Sequence, residues 1–233
     1  DPDKASAFMK EVDSISFNPF QPKFIVENEN FVTKQISSNV SLIHVKNPLN
    51  DLFTLELRMD KGSRHDPMLP YAKRMLDRAG AGEISSNDLK IEWYKLGTDF
   101  AFAVRERMSS LILSGLDENF ESSLKLGRNL IENPNISDQT WGETKNIIIS
   151  ERDDEEKDPR AISNALAHFH RYGKRSRYLE RPSDSDLNST SVQELSSILS
   201  ELLQVKRTVL YYGPKSPEEV MEAISKGDRK SVV

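Results

Sequence analysis

The most regular hydrophobic pattern in the chain lies between Leu52 and Met59. Phe53, Leu55, Leu57 and Met59 alternate with Thr54, Glu56 and Arg58. A period of two with one apolar face predicts a strand in a sheet covered on one side only. Lys61 and Gly62 end it. Shorter alternating runs predict strands over residues 31–36 and 40–45, joined as a hairpin by the turn 37–39. Two further strands are expected over 99–104 and 109–114, around a polar turn at Glu106 and Arg107, and a last one over 207–212, closed by Gly213.

Helical spacing appears elsewhere. Over residues 69–80, Leu69, Ala72, Met75, Leu76 and Ala79 share one face. Residues 79–83, AGAGE, read as the turn that ends this helix. A second helix over 87–96 carries Leu89, Trp93 and Leu96, with a capping box at Ser85 and Asp88 and a stop at Gly97. Phe120, Leu124, Gly127, Leu130 and Ile131 form one stripe, and Ser137 caps another helix bearing Trp141 and Ile148. Asp158 followed by Pro159 is a helix start, and Ile162, Ala165, Leu166 and Phe169 are its expected buried side. After a polar loop over 183–189, Ser191 and Glu194 cap a helix striped by Val192, Leu195, Leu199 and Leu202. Ser216, Pro217 and Glu219 open the last helix, whose tail from 227 onward is expected to fray.

Residues 1–30 lack such patterns. Pro19 and Pro22 punctuate them, and a polar run follows at 27–30. They read as a lead-in or linker, with a short helix over 5–12, and residues 31–233 read as one domain. The order β-β-β-α-α-β-β, then helices, then β-α, predicts an α+β fold, a mostly antiparallel sheet covered on one face by helices.

Composition narrows the function. The chain has 233 residues, 36% apolar and 30% charged, with a formal charge of −5. Basic residues are scattered rather than striped, which argues against a nucleic-acid partner. There is no cysteine, which excludes disulfides, thiolate ligands and cysteine nucleophiles. No apolar stretch has the length of a membrane span, and the N-terminus lacks the pattern of a signal peptide. The chain opens with Asp1, so it is expected to begin inside a longer protein with any targeting signal upstream.

Common catalytic motifs are missing. His44, His65, His168 and His170 include no pair at the i,i+4 spacing that brings two imidazoles to one zinc ion on a helix. There is no G-x-S-x-G elbow and no phosphate-binding loop. Two charged stretches remain. The acidic run Glu151, Asp153, Asp154, Glu155, Glu156 and Asp158 reads as the wet end of a helix, with a cation-dependent site as the alternative. Residues 171–181, RYGKRSRYLER, read as a solvated loop or as a grip for an anionic or peptide partner.

The order of parts carries a resemblance. LFTLELRMDKGSRHD leads into PYAKRMLDRAG, and then SSNDLK, KLG, a hairpin, DENF and the helices through DDEEKDPRA follow. Across residues 31–224 this layout resembles the peptidase M16 family, the pitrilysin and mitochondrial-processing-peptidase group. In that family an H-x-x-E-H motif lies on the helix, its histidines holding zinc and its glutamate serving as general base. The resemblance places the motif on residues 70–74, where this chain has Pro70, Tyr71, Ala72, Lys73 and Arg74. Pro70 and Arg74 stand at the ligand positions, Lys73 at the base, and Glu151, by its spacing to Asp158 and Pro159, at the third ligand. A proline and two cations cannot hold zinc. The resemblance therefore implies a degenerate zinc site, with Lys73 or Arg74 paired to Glu151.

It further implies a non-catalytic domain with no cofactor of its own. Zinc is expected in a catalytic M16 half, in the same polypeptide or as a separate subunit, with a peptide substrate enclosed between the halves. A scaffold subunit with this fold and no protease partner is the alternative. The resemblance favours an extracytoplasmic setting such as the bacterial periplasm over the cytoplasm.

Overall fold

The computed structural model describes residues 6–16 and 20–228. Expectations that fall on Ala5, Pro19 and the tail beyond 228 lie outside them. Helix α1 (Ala7–Asp13) is capped by Ser6 and buries none of its residues. Then come β1 (Val32–Ser37), β2 (Val40–Lys46) and β3 (Leu52–Met59), followed by α2 (Leu69–Leu76), β4 (Gly80–Ala81), α3 (Ser86–Leu96), β5 (Thr98–Val104) and β6 (Ser109–Leu116). Next are α4 (Phe120–Glu132), β7 (Pro134–Asn135), α5 (Asp138–Glu155), α6 (Pro159–Tyr172), α7 (Arg177–Glu180), α8 (Asp184–Ser189) and α9 (Val192–Glu201). Strand β8 (Arg207–Gly213) and α10 (Pro217–Asp228) close the series.

Six strands form one sheet in the order β1-β2-β8-β3-β6-β5. Only β2 and β8 run parallel, with Leu42 opposite Val209 and His44 opposite Tyr211. The other pairings are antiparallel. The fold is thus α+β with a largely antiparallel sheet. Alternation holds in β3: Phe53, Leu55, Leu57 and Met59 are buried, while Thr54 and Arg58 face solvent. Across the ladders Leu55 meets Leu113 and Leu57 meets Val209, so one face forms a continuous apolar floor.

Helices cover that floor. α4 contributes Phe120, Leu130 and Ile131, and α9 contributes Leu195 and Leu199. Residues Leu69, Ala72, Met75 and Leu76 of α2 are buried, and α2 packs on α9 and α5. Capping chemistry starts several helices. The reciprocal box at Ser191 and Glu194 is complete, and Ser216 and Glu219 exchange the same two bonds. At Ser85 the Asp88 carboxylate accepts from the Ser85 hydroxyl instead of its backbone, at 2.7 Å. At one end of the sheet, the Tyr211 hydroxyl donates to Asp117 and accepts from the Lys215 amide, both at 3.2 Å. Burial, first, pushes its pKa up, so it stays a neutral donor.

Three expectations are corrected. The apolar stripe of α6 is not a buried side: Ile162, Leu166 and Phe169 are 44%, 65% and 49% exposed, and no residue of α6 is buried. Periodicity reports an amphipathic helix, not whether anything covers it. Residues 183–189 are not a loop but carry α8, with a complete capping box at Ser183 and Asp186 and a buried Leu187. One apolar residue in six gives too little period to read. Finally, residues 79–83 do more than end a helix. α2 stops at Leu76, and Gly80 and Ala81 pair with Asn135 and Pro134 as a second, two-stranded sheet.

Gly80 is required because the following turn brings the Ile84 backbone back against it. A Cβ there would lie 2.0 Å from the Ile84 carbonyl oxygen, which is backbone and cannot yield. Gly80→Ala is expected to cost about 1–3 kcal/mol by overpacking, measured by urea unfolding. Leu166→Ala on the open face of α6 is expected to stay within about 0.5 kcal/mol in the same assay.

Candidate functional site

The site is built where α2 meets the C-terminal end of α5. Burial of Leu69, Ala72, Met75 and Leu76 turns the rest of the short helix outward. Two of its residues meet α5. Arg74 makes a bidentate pair with Glu151: Nη1 donates to Oε2 at 2.6 Å and Nη2 to Oε1 at 2.9 Å. Lys73 does not compete, since its ammonium lies 2.6 Å from Asp77 one turn along its own helix. Of the two cations at these positions, Arg74 is therefore the partner of Glu151. The fork of a guanidinium matches both carboxylate oxygens, which an ammonium cannot do. Pro70 sits in the first turn, where a missing N–H is tolerated.

Behind this pair lies a second contact that the sequence pattern gave no reason to single out. Arg152, next to Glu151, is 8% exposed. Its guanidinium donates to the Tyr71 hydroxyl, lies 5.5 Å from that ring's centre, and pairs with Asp184 of α8. Burial opposes its charge, yet the Tyr71 hydrogen bond and Asp184 hold it protonated. The available signal was a lone arginine within an acidic run. One turn on, Glu155 pairs with Arg181 at 2.7 Å. The acidic run thus splits. Glu151 and Glu155 are engaged in ion pairs, Asp158 caps α6, and Asp153 and Glu156 face solvent.

Each partner of the Arg74–Glu151 pair shifts the other. The hydrogen bond from Arg74 holds the Glu151 carboxyl below its ordinary value, and that from Glu151 raises Arg74. Both side chains are more than a third exposed, 39% and 49%, so solvent screens the pair. Its contribution is about 0–1 kcal/mol.

The residues present do not fit a zinc ion. Pro70 has no donor atom, Arg74 brings a fixed positive charge, and both Glu151 oxygens are engaged by it. Among the described residues, no three His, Asp or Glu side chains cluster as a metal site. Three of the four histidines have other work: His44 stacks on Tyr211 and bonds the Lys215 carbonyl, His65 accepts from the Gly62 amide, and His168 bonds the Ser176 hydroxyl.

No protein-family profile and no curated protein matches the sequence. Solved structures do. The peptidase M16 inactive domain from Pseudomonas fluorescens superposes with a TM-score of 0.72 at 17% identity, over 86% of this chain and 50% of that one. The periplasmic protease PqqL from Escherichia coli gives 0.74 at 16% identity, over 91% of this chain and 24% of that one. A mutant of the ferredoxin protease FusC, in complex with Arabidopsis ferredoxin, gives 0.69 at 13% identity, over 90% of this chain and 25% of that one. The chain has the fold of M16 peptidase domains, and it spans from a quarter to half the length of these structures.

Glu151→Gln removes the charge that Arg74 meets and is expected to cost up to about 1 kcal/mol at pH 7. A carboxyl whose pKa is lowered on folding stabilises above its unfolded value and loses that effect as pH falls through the folded one. The stability gap between wild type and variant, followed by urea unfolding, should therefore close as the pH is taken below 4.5, the ordinary glutamate value.

Proposed function

We propose that this chain is the non-catalytic domain of an M16-type zinc metallopeptidase, forming the wall of a peptide chamber opposite the zinc-bearing half. Residues 31–233 make up the domain and 1–30 the lead-in to it. The observation that carries the reading is the bidentate Arg74–Glu151 pair. It occupies two of the positions that the family resemblance assigns to metal ligands, on a fold shared with M16 domains, one of them described as inactive. Where zinc would need neutral imidazoles and a free carboxylate, this chain has a cation closing on that carboxylate. Pro70, Lys73, Arg74 and Glu151 are, on this reading, the degenerate zinc-motif positions.

No chemical step is assigned to these residues. Lys73 carries the charge opposite to a general base and is held by Asp77. The contribution of such a wall is confinement: it limits the poses of a bound peptide and keeps water from its flanks while the other half cleaves. Zinc belongs to that other half. The greater length of the structural neighbours supports a partner half, fused or separate. The ferredoxin bound to FusC supports a polypeptide as the class of ligand, and periplasmic PqqL supports a setting outside the cytoplasm. No helix among the described residues is long and apolar enough to cross a membrane.

The test is an assay of labelled peptides with this chain, with its zinc-bearing partner, and with both. The chain alone is expected to show no turnover, with or without added zinc. Turnover that a chelator abolishes would overturn the reading. Adding the chain to the zinc-bearing half is expected to raise kcat/KM by about tenfold or more, since enclosure and orientation carry effects of that size. No change on addition would favour a scaffold subunit instead.

A further inference from the structure

A cavity beside the N-terminal end of α2 borders the Arg74–Glu151 site through Pro70 and Tyr71, and a second cavity adjoins it along α6. The first encloses about 350 Å³ between Pro70 and Tyr71 on one side and residues 168–181 on the other. Four arginines line it: Arg64, Arg175, Arg177 and Arg181. Two of them are already matched, Arg64 with Glu106 at 3.6 Å and Arg181 with Glu155 at 2.7 Å. Among the described residues no carboxylate lies within ion-pair distance of Arg175 or Arg177. Only one further acidic residue, Glu180, reaches the wall, so the cavity keeps an excess of positive charge.

The segment is ordered rather than a solvated loop. Ser176 is buried and bonded to His168, whose ring packs on Tyr172 and Tyr178. Arg177 lies 5.1 Å from the centre of the Tyr178 ring and donates to its hydroxyl at 3.3 Å. A guanidinium laid on an aromatic ring has little freedom left to lose on meeting an anion.

The second cavity, about 300 Å³, shares Glu155, Tyr178 and Arg181 with the first. Most of its wall is the uncovered stripe of α6 with Leu179 (Ile162, Ala165, Leu166 and Phe169), and the Glu156 carboxylate lies at its rim, away from Arg175 and Arg177, which line only the first cavity. A pocket holding two arginines outside any ion pair thus adjoins a largely apolar one across Tyr178 and the Glu155–Arg181 pair. That pairing of chemistries selects the occupant.

We infer that this bipartite groove binds a peptide carrying a carboxylate next to a large apolar side chain, the carboxylate on Arg175 and Arg177 and the apolar group on α6. The inference takes its choice of a peptide from the chamber-wall reading and names the kind of peptide held there. The carboxylate has two sources, an acidic side chain or a chain terminus.

The experiment is fluorescence anisotropy on the full 233-residue chain. Its probe is a labelled, C-terminally amidated octapeptide with one glutamate between leucines. The comparison peptides carry glutamine in that place, one amidated and one with a free C-terminus. The glutamate peptide is expected to bind at least about tenfold tighter than its amidated glutamine counterpart, the ratio of a charge-assisted hydrogen bond gained. R175E and R177E should each remove most of that preference, and Arg177→Lys should restore part of it. Leu166→Ser should weaken both amidated peptides alike. Tight binding of the free-acid glutamine peptide, lost in the same arginine variants, supports the groove with a chain terminus as the source. Equal affinity for all three peptides, or a preference that survives R175E and R177E in variants folded by circular dichroism, overturns the inference. That result leaves the chamber-wall reading standing, because the turnover assay with the zinc-bearing half does not depend on it.

Discussion

The apolar side of α2 is the constraint on which the rest depends. Leu69, Ala72, Met75 and Leu76 are sealed against α9, α5 and the sheet. Burying each of the larger three is worth about 1.5–3 kcal/mol. The half-exposed Arg74–Glu151 pair on the other side offers about 1 kcal/mol at most. Burial therefore decides where the helix sits, and the ion pair only occupies the place that burial creates. A helix held in this way can change every outward residue and keep its position.

The end of α5 shows what the acidic run is used for. Consecutive and i,i+4 residues reach three neighbours: Glu151 to α2, Arg152 to Tyr71 and to α8, and Glu155 to Arg181. Carboxylates that would repel one another are separated by meeting different cations. Two of the carboxylates that suggested a cation site, Glu151 and Glu155, instead fasten separate segments to one helix, with buried Arg152 between them.

How far the sequence was legible depends on the range of each signal. The alternation in β3, the stripe of α2 and the caps at Ser191 and Ser216 are local, and all are present. The pairing of Glu151 with one of two cations followed from the family resemblance. The choice of Arg74 did not, because it turns on Asp77 lying within reach of Lys73. What failed was non-local. The stripe of α6 predicts a buried side, yet cover is a property of neighbours. Gly80 reads as a turn residue until its partner at Asn135 is known. Tyr71 and Arg152 stand 81 residues apart, and nothing in either stretch announces the other.

Strand β8 lies between β2 and β3, yet it is formed from residues 207–213, far after both in the sequence. The hairpin β1-β2 and the trio β3-β6-β5 can each form early, but nothing joins them until β8 inserts with one parallel and one antiparallel edge. On a ribosome, the two partial sheets would wait with open edges until residues 207–213 emerge. Sequence-distant closure of this kind is slow and exposes aggregation-prone strands. The domain is thus built as two leaves fastened by a late clasp, and its dependence on chaperones should be greatest just before that clasp emerges.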